Sequence, residues 1–216
     1  MKTCLLVGGG DFYAEGFRPE KENLIIAVDA GYERLTELGI TPDLVVGDFD
    51  SLGFVPDHPN TETHPSIKDD TDTMLAVIKG IEAGCDRFLI YGGTGGRIAH
   101  TFGNIQVLAH LAKEGKQGFI IDKDYVIAAA RDCTLTFSKE NSGYISLIPW
   151  GSESCTLTLK GLKYELESAP LPGDRPLGIS NEFTGKAAEI TVHDGTAVII
   201  IESSGILPER EETDGK

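Results

Sequence analysis

The fold is decided by residues 24–50, which have the sequence LIIAVDAGYERLTELGITPDLVVGDFD. Leu24 to Val28 and Leu44 to Val46 are short apolar runs of the kind that forms buried strands. Between them, Tyr32 to Leu38 has a helical pattern. A strand, a helix and a strand in direct succession predict a parallel sheet covered by helices.

The same alternation continues on both sides of this stretch. The further predicted strands are Cys4 to Val7, Phe88 to Tyr91 and Phe119 to Ile121, and the further predicted helices are Thr73 to Ala83 and Ile98 to Lys113. Thr71 is the expected N-cap of the first of these helices, and Gly84 is its expected stop. We therefore predict an α/β domain with a parallel sheet over residues 1–131.

The pattern changes near Cys133, where helical periodicity is lost and short apolar runs are separated by Gly, Pro, Ser and Asn. The strands predicted in this part are Thr134 to Phe137, Tyr144 to Ile148, Cys155 to Leu159, Ala188 to Val192 and Ala197 to Ile201. This pattern predicts an all-β antiparallel sandwich domain over residues 132–204. The acidic residues 205–216 are predicted to form a flexible tail.

Composition excludes several classes of function. The formal net charge is −15, and no run of lysine and arginine could neutralise a nucleic-acid backbone, so nucleic acid is not an expected partner. The apolar stretch Cys4 to Val7 is too short for a signal peptide or a membrane span, which predicts a cytoplasmic protein that does not bind membranes. The four cysteines stand singly in or beside apolar runs and are predicted to be core residues, not zinc ligands or disulfides.

Acidic residues follow two of the predicted strands. Ligands of an open parallel sheet bind beyond the carboxyl ends of its strands, where Asp29, Asp48 and Asp50 stand. Asp48 and Asp50 would share one face if the chain stays extended, and a few carboxylates suit Mg²⁺. A further acidic cluster ends in Asp72, at the start of a predicted helix. The same residues also fit a simple turn after Val46 and a favourable helix-dipole interaction of Asp72.

A glycine-rich run, Gly92 to Gly96, joins a predicted strand to a predicted helix. Its backbone amides and the helix N-terminus could hold an anion, and Arg97 adds a forked donor that suits phosphate. A salt bridge to a nearby aspartate is the alternative for Arg97. The run matches neither a Walker A pattern nor a dinucleotide fingerprint. The histidines lack metal-ligand spacing, and no serine or cysteine nucleophile motif is present, so covalent hydrolase chemistry is not supported.

Taken in order and spacing, these segments and two later ones resemble the motifs of thiamine pyrophosphokinases. The resemblance extends over nearly the whole chain. The segments are Asp29-Ala30-Gly31, Pro42-Asp43, Gly47 to Ser51, Lys68-Asp69 with Thr71-Asp72, Gly95-Gly96-Arg97 with Asn104, Gly161 to Tyr164, and Gly178 to Glu182.

The resemblance implies Mg²⁺-dependent transfer of a pyrophosphoryl group from ATP to thiamine, giving thiamine diphosphate and AMP. It also implies a homodimer with active sites shared between subunits. The residues to which it assigns roles are Asp48, Asp50 and Asp72 for Mg²⁺ and, with Arg97, for catalysis; Asp29, Lys68, Asp69, Gly95, Gly96 and Arg97 for ATP; and Tyr164, Ser180 and Asn181 for thiamine. Ala99 stands where the family usually has an aspartate, and Asp69 or Asp70 is expected to supply the missing carboxylate.

Two other functions are compatible with the same residues. A Mg²⁺-dependent phosphohydrolase would use Asp48 and Asp50 as a nucleophile and acid pair, and would release phosphate from simple esters without thiamine. A nucleotide-sensing or carbohydrate-binding module would bind its ligand without turnover.

Overall fold

The computed structural model describes residues 1–65, 69–202 and 206–212. The chain forms a mixed sheet with helices and divides into two compact units. Unit 1 comprises Met1–Val107 and Gly118–Lys123, and unit 2 comprises Leu108–Gln117 and Asp124–Lys216. No helix in the described ranges is long and apolar enough to cross a membrane.

The first part of the chain alternates strands and helices. The strands are β1 (Thr3–Val7), β2 (Leu24–Val28), β3 (Leu44–Gly47), β4 (Thr61–Thr63), β5 (Arg87–Tyr91) and β6 (Gln117–Ile121), and the helices are α1 (Gly31–Glu37), α2 (Asp72–Glu82) and α3 (Ile98–Lys113). The strands lie in the order β6-β5-β1-β2-β3-β4, and the pairs from β5 to β4 are parallel. The predicted elements are confirmed, whereas β4 was missed because its three polar residues carry no apolar signal.

The inner strands of the unit 1 sheet are buried, and an apolar cluster packs residues from several of these strands together. This cluster contains Leu5, Val7, Phe17, Ala27, Leu35, Val45, Phe49 and Tyr91. Helix α2 begins and ends as predicted: the Thr71 side chain accepts a hydrogen bond from Met74 N at 3.3 Å, and Gly84 has a φ of 79°.

Unit 2 contains antiparallel strands. They are β7 (Val126–Phe137), β8 (Tyr144–Pro149), β9 (Ser154–Lys160), β10 (Leu166–Pro172), β11 (Asn181–Glu182), β12 (Ala188–Glu202) and β13 (Glu209–Glu212). β12 is one long strand where the sequence predicts two. It pairs with β7 along most of its length, with β9 up to Asp194, and with β8 from Ala197 onward. The register shifts near Gly195, whose φ is 80°.

Two features of unit 2 differ from the sequence-based expectation. The predicted domain boundary between residues 131 and 132 falls inside β7, because this strand continues without a break from Val126 to Phe137. The predicted flexible tail contains β13, which pairs with β7 from Glu209 to Glu212. An antiparallel strand can keep one face in solvent, so acidic side chains do not prevent a strand here.

The cysteines are buried free thiols, as predicted. Cys4 and Cys85 are hydrogen-bonded to each other, and this contact together with burial raises the pKa of Cys4. Burial raises the pKa of Cys155 to about 11. These thiols therefore behave as small core side chains at neutral pH.

The contribution of Gly103 to the stability of helix α3 can be tested by substitution. Gly103 lies within the helix, and a Cβ placed on it would meet no atom within 4 Å. We expect Gly103→Ala to raise the free energy of unfolding by roughly 0.5–1 kcal/mol, because glycine loses more backbone entropy in a helix than alanine does. Denaturant titration measures this change, and a destabilised variant would show that Gly103 makes a close contact.

Candidate active site

Three carboxylates converge at the carboxyl edge of the unit 1 sheet. Asp29 directly follows β2, Asp48 directly follows β3, and Asp72 is the first residue of α2. One carboxylate oxygen from each residue lies within 4.8 Å of the others, and all three residues are half-buried. β2 and β3 are parallel neighbours, so their carboxyl ends meet at one edge. Such a set of oxygens could hold a divalent cation.

Asp29 is held in place by its backbone and its neighbours. Its φ is 48°, in the left-handed region that aspartate tolerates better than most residues. Its backbone N–H donates to Val46 O at 3.0 Å, and its Oδ1 accepts from Phe49 N at 3.3 Å. A Cβ on Gly47 would lie 2.1 Å from the same Oδ1. Gly47 is therefore required for this position of the Asp29 carboxylate.

Asp50 is not part of this cluster. β3 ends at Gly47, and Phe49 has a φ of 59° with its side chain buried in the core. The chain turns at this point, and Asp48 Oδ1 accepts a hydrogen bond from Asp50 N at 3.1 Å. The extended conformation that would place Asp48 and Asp50 on one face is therefore absent, and Asp50 is exposed. The physical reason is the left-handed backbone at Phe49, whose side chain is buried in the core.

The glycine-rich loop lies between β5 and α3. Three of its glycines have positive φ values: Gly92 at 64°, Gly95 at 79° and Gly96 at 58°. The backbone N–H groups of Gly95 and Gly96 have no acceptor in the described part of the chain. Arg97 is exposed and forms no ion pair with any residue the structure describes. These donors could contact an anion at the start of α3.

The other predicted ATP-site residues lie apart from the carboxylate cluster or outside the described ranges. Asp69 and Asp70 are exposed and do not join the cluster, whose third member is Asp29. Ala99 is exposed in the first turn of α3. Lys68 lies outside the described residues. The structure therefore supplies a third carboxylate without Asp69 or Asp70.

Sequence reasoning missed Asp11 and Asp122, two acidic residues around the glycine-rich loop, and the contacts that they make with Thr94 in this loop. Asp11 follows β1, and its N–H donates to Thr94 O at 2.9 Å. The Thr94 hydroxyl donates to the carboxylate of Asp122, which directly follows β6. The rule that directs attention to strand ends also points to Asp11 and Asp122, because each stands just beyond a strand.

Unit 2 contains a largely apolar cavity of about 530 Å³. This volume lies in the usual range for small-molecule sites, and aliphatic walls with a few polar groups are typical of them. The lining residues are Leu147, Leu159, Tyr164, Leu166, Pro170, Leu171, Leu177, Gly178, Ile179, Ser180 and Asn181. The structure thus brings Tyr164, Ser180 and Asn181 together in one cavity.

Asn181 holds the backbone of Tyr164. It is 5% exposed, and its Oδ1 accepts from the N–H groups of Tyr164 and Glu182, each at 2.9 Å. Its Nδ2 donates to Tyr164 O at 2.8 Å. Ser180 has a φ of 60°, and its N–H donates to Ser146 Oγ at 3.1 Å. The amide of Asn181 therefore positions Tyr164, whose own side chain is 61% exposed.

The ammonium group of Lys163 lies close to the Tyr164 ring. Lys163 Nζ lies 5.6 Å from the ring centroid and 2.9 Å from a carboxylate oxygen of Glu182. The hydrogen bond to Glu182 raises the pKa of Lys163, which keeps the ammonium charged. This contact shows that the ring is oriented and exposed well enough for a cation–π interaction.

Two family models match successive parts of the chain. Residues 19–120 match the family described as thiamin pyrophosphokinase, catalytic domain, and residues 132–197 match the family described as thiamin pyrophosphokinase, vitamin B1 binding domain. Thiamine pyrophosphokinase of Bacillus subtilis (strain 168) is 33% identical over 211 residues, which cover 93% of this chain and 98% of that protein. The chain belongs to the thiamine pyrophosphokinase family.

Solved structures of this family have the same fold. The crystal structure of thiamine pyrophosphokinase from Bacillus subtilis superposes with a TM-score of 0.82 at 31% identity, covering 94% of this chain and 100% of that chain. Thiamin pyrophosphokinase from Geobacillus thermodenitrificans gives 0.79 at 27% identity, covering 95% and 99%. The carboxylate cluster and the glycine-rich loop lie in the segment that matches the family's catalytic domain, whereas Asp11 and Asp122 lie just outside it.

Proposed function

We propose that this chain transfers a pyrophosphoryl group from ATP to the hydroxyl of thiamine in a Mg²⁺-dependent reaction, forming thiamine diphosphate and AMP. The observation that carries the proposal is the cluster of Asp29, Asp48 and Asp72 within the segment that matches the family's catalytic domain. The cavity around Tyr164 supports it, because all its lining residues lie in the segment that matches the family's vitamin B1 binding domain.

The carboxylate cluster fits Mg²⁺. Magnesium prefers a few carboxylates and fills its other positions with water and substrate phosphates. Three carboxylates within 4.8 Å repel one another, and a divalent cation would remove this repulsion. Asp29, Asp48 and Asp72 are therefore the proposed ligands, and Mg²⁺ there would neutralise charge on the phosphate oxygens. Asp50, which the resemblance assigns to the metal, lies outside the cluster.

The phosphates are proposed to bind at the glycine-rich loop. The N–H groups of Gly95 and Gly96 and the guanidinium of Arg97 are the donors, and Lys68 and Asp69 remain predicted contacts. The thiamine hydroxyl attacks the β-phosphorus in line and releases its proton to solvent, forming a new oxygen–phosphorus bond as the bond from the β-phosphorus to the AMP oxygen breaks. In such transfers, positioning and charge neutralisation supply most of the rate enhancement.

Thiamine is proposed to bind in the cavity of unit 2. Tyr164 offers its ring face to the cationic thiazolium, Ser180 is a hydrogen-bonding group, and Asn181 orients Tyr164. The aliphatic walls exclude water from the ring system. The exposure of Tyr164 supports the cation–π part of this proposal, because its ring is accessible to a cation.

The proposed role of Tyr164 has a direct test. We expect Tyr164→Ala to raise the KM for thiamine about fivefold or more and to leave the KM for ATP nearly unchanged, since an aromatic–cation contact contributes ~0.5–2 kcal/mol. Tyr164→Phe keeps the ring and should resemble the wild type. Tyr144→Ala is the matched control, because Tyr144 is also exposed in unit 2 but does not line the cavity. Equal changes in both KM values would assign Tyr164 a packing role.

The assembly and location of the protein are further parts of the proposal. The resemblance supports a homodimer whose active sites are shared between subunits and a β-sandwich arrangement of the thiamine-binding domain. A cytoplasmic location remains a prediction from the sequence. Sedimentation velocity measures the oligomeric state. A monomer that is fully active at assay concentration would exclude active sites shared between subunits.

The activity itself is tested by incubating the protein with ATP, Mg²⁺ and thiamine and measuring AMP and thiamine diphosphate. Equal amounts of the two products are expected. Release of phosphate from p-nitrophenyl phosphate without thiamine would favour the phosphohydrolase alternative. Ligand binding without any product would favour the binding module.

A further inference from the structure

The glycine-rich loop needs external support to hold one conformation. Three of its residues are glycines with positive φ, and glycine has the largest conformational entropy to lose on ordering. A loop that must order on ligand binding lowers the affinity for that ligand, whereas a preorganised loop does not. The residues that order this loop therefore influence nucleotide affinity even if they never contact the nucleotide.

The loop is anchored through three successive carbonyl groups. Gly92 O accepts from Gly10 N at 3.0 Å, Gly93 O accepts from Asn104 Nδ2 at 2.7 Å, and Thr94 O accepts from Asp11 N at 2.9 Å. Asn104 is buried. Because these carbonyl oxygens accept hydrogen bonds from the protein, they are not directed at an approaching anion. Asn104, one of the residues in the family resemblance, thus supports the loop backbone.

A side-chain contact completes this anchorage. Thr94 is 3% exposed, and its hydroxyl donates to one oxygen of the Asp122 carboxylate. The other oxygen of Asp122 accepts from Lys123 N at 2.6 Å. Both carboxylate oxygens therefore have donors from the protein, and a hydrogen bond to an ionised acceptor is stronger than a neutral one. The contact ties the loop to the end of β6.

We propose that Thr94 and Asp122 form a lock that holds the loop Gly92–Gly96 in the conformation that binds the phosphates of ATP. Both are positioning residues for nucleotide binding, and neither needs to touch the nucleotide. This inference rests on the proposed function. It adds to the nucleotide site Thr94, which lies within the glycine-rich run, and Asp122, which lies outside the sequence motifs. A Cβ on Gly95 would lie 2.3 Å from the carboxylate of Asp11, so a residue without a side chain is favoured at this position of the loop.

The test measures binding of Mg·ATP by calorimetry without thiamine, together with both KM values. We expect Thr94→Val and Asp122→Ala to raise the Kd for Mg·ATP about tenfold, as loss of one charge-assisted hydrogen bond would. Thr94→Ser keeps the hydroxyl and should restore near wild-type affinity. Asp122→Asn keeps an acceptor and should have a smaller effect than Asp122→Ala. The KM for thiamine should stay the same in every variant.

Asp124→Asn is the matched control, because Asp124 is an exposed aspartate two positions away that belongs to neither site. Thermal unfolding shows which variants are folded at the assay temperature. If Thr94→Val is unfolded at that temperature, the Kd of Asp122→Asn for Mg·ATP tests the proposal instead. A lowered unfolding temperature with an unchanged Kd for Mg·ATP would overturn the lock, as would equal changes in both KM values.

If the wild type binds Mg·ATP but forms no thiamine diphosphate, the proposed function fails while the Kd values still test the lock. A wild type that does not bind Mg·ATP overturns both.

Discussion

Replacement of Asp29, Asp48 or Asp72 by asparagine is expected to lower turnover by at least about tenfold, equivalent to ~1.4 kcal/mol of lost transition-state stabilisation. Each change removes one charge from the cluster that we assign to Mg²⁺. Folding should survive, because asparagine keeps the oxygen that accepts from Phe49 N at Asp29 and from Asp50 N at Asp48. The measurement is the initial rate of AMP formation as a function of Mg²⁺ concentration.

Two comparisons make this test specific. Asp57→Asn changes an exposed aspartate of the same unit and should have a normal rate. Asp50→Asn should have a smaller effect than Asp29→Asn, because Asp29 belongs to the cluster and Asp50 is exposed outside it. If Asp50→Asn were the more damaging change, the metal set implied by the family resemblance would be correct and the set proposed from the carboxylate cluster would not. Normal rates in all three cluster variants would contradict a metal role for the cluster.

Gly47→Ala is expected to damage the same site without altering any proposed ligand. Its new Cβ would lie 2.1 Å from Asp29 Oδ1 and 3.1 Å from the ring of Phe49, so the Asp29 carboxylate must move. We expect the Mg²⁺ concentration for half-maximal rate to rise about tenfold, and the free energy of unfolding to fall by roughly 1–3 kcal/mol as in other overpacked sites. Enzyme kinetics at varied Mg²⁺ and denaturant titration measure the two effects.

Gly103→Ala is the matched control for this prediction, since it adds the same methyl group where no atom lies within 4 Å. Its Mg²⁺ dependence should equal that of the wild type. A Gly47→Ala variant with normal Mg²⁺ dependence would show that the Asp29 carboxylate can shift without consequence, and Asp29 would then not be a ligand.

The sequence predicted the elements of unit 1 well because their signals are local. Apolar runs, helical spacing, the Thr71 cap and the Gly84 stop each depend on a few neighbouring residues. In unit 2, β10 and β11 were missed. β10 is largely exposed and β11 has only two residues, so neither carries a clear apolar pattern. Long-range pairing, not local preference, creates such strands.

The site shows the same contrast between local and long-range causes. Asp29 and Asp48 could be found from the rule that ligands bind beyond strand ends, and Asp72 from the acidic cluster at a predicted helix start, without knowledge of any contact. The position of Asp50 outside the carboxylate cluster could not be predicted in this way, because it depends on the buried side chain and the left-handed backbone of Phe49. The role of Asn181 was also hidden, since its hydrogen bonds join it to residues distant in sequence.

By itself, the sequence determined the alternation of strands and helices, the family and the kinds of side chain available for a metal, phosphate and a cationic ring. Tertiary structure alone decided which carboxylates share one cluster and which polar residues support the glycine-rich loop. The physical reason is that periodicity and caps act within a few residues, whereas a cluster within 4.8 Å is made by packing that joins separate strand ends. Thr94 and Asp122 illustrate this, because 28 positions of sequence separate two side chains that the fold brings into hydrogen-bond contact.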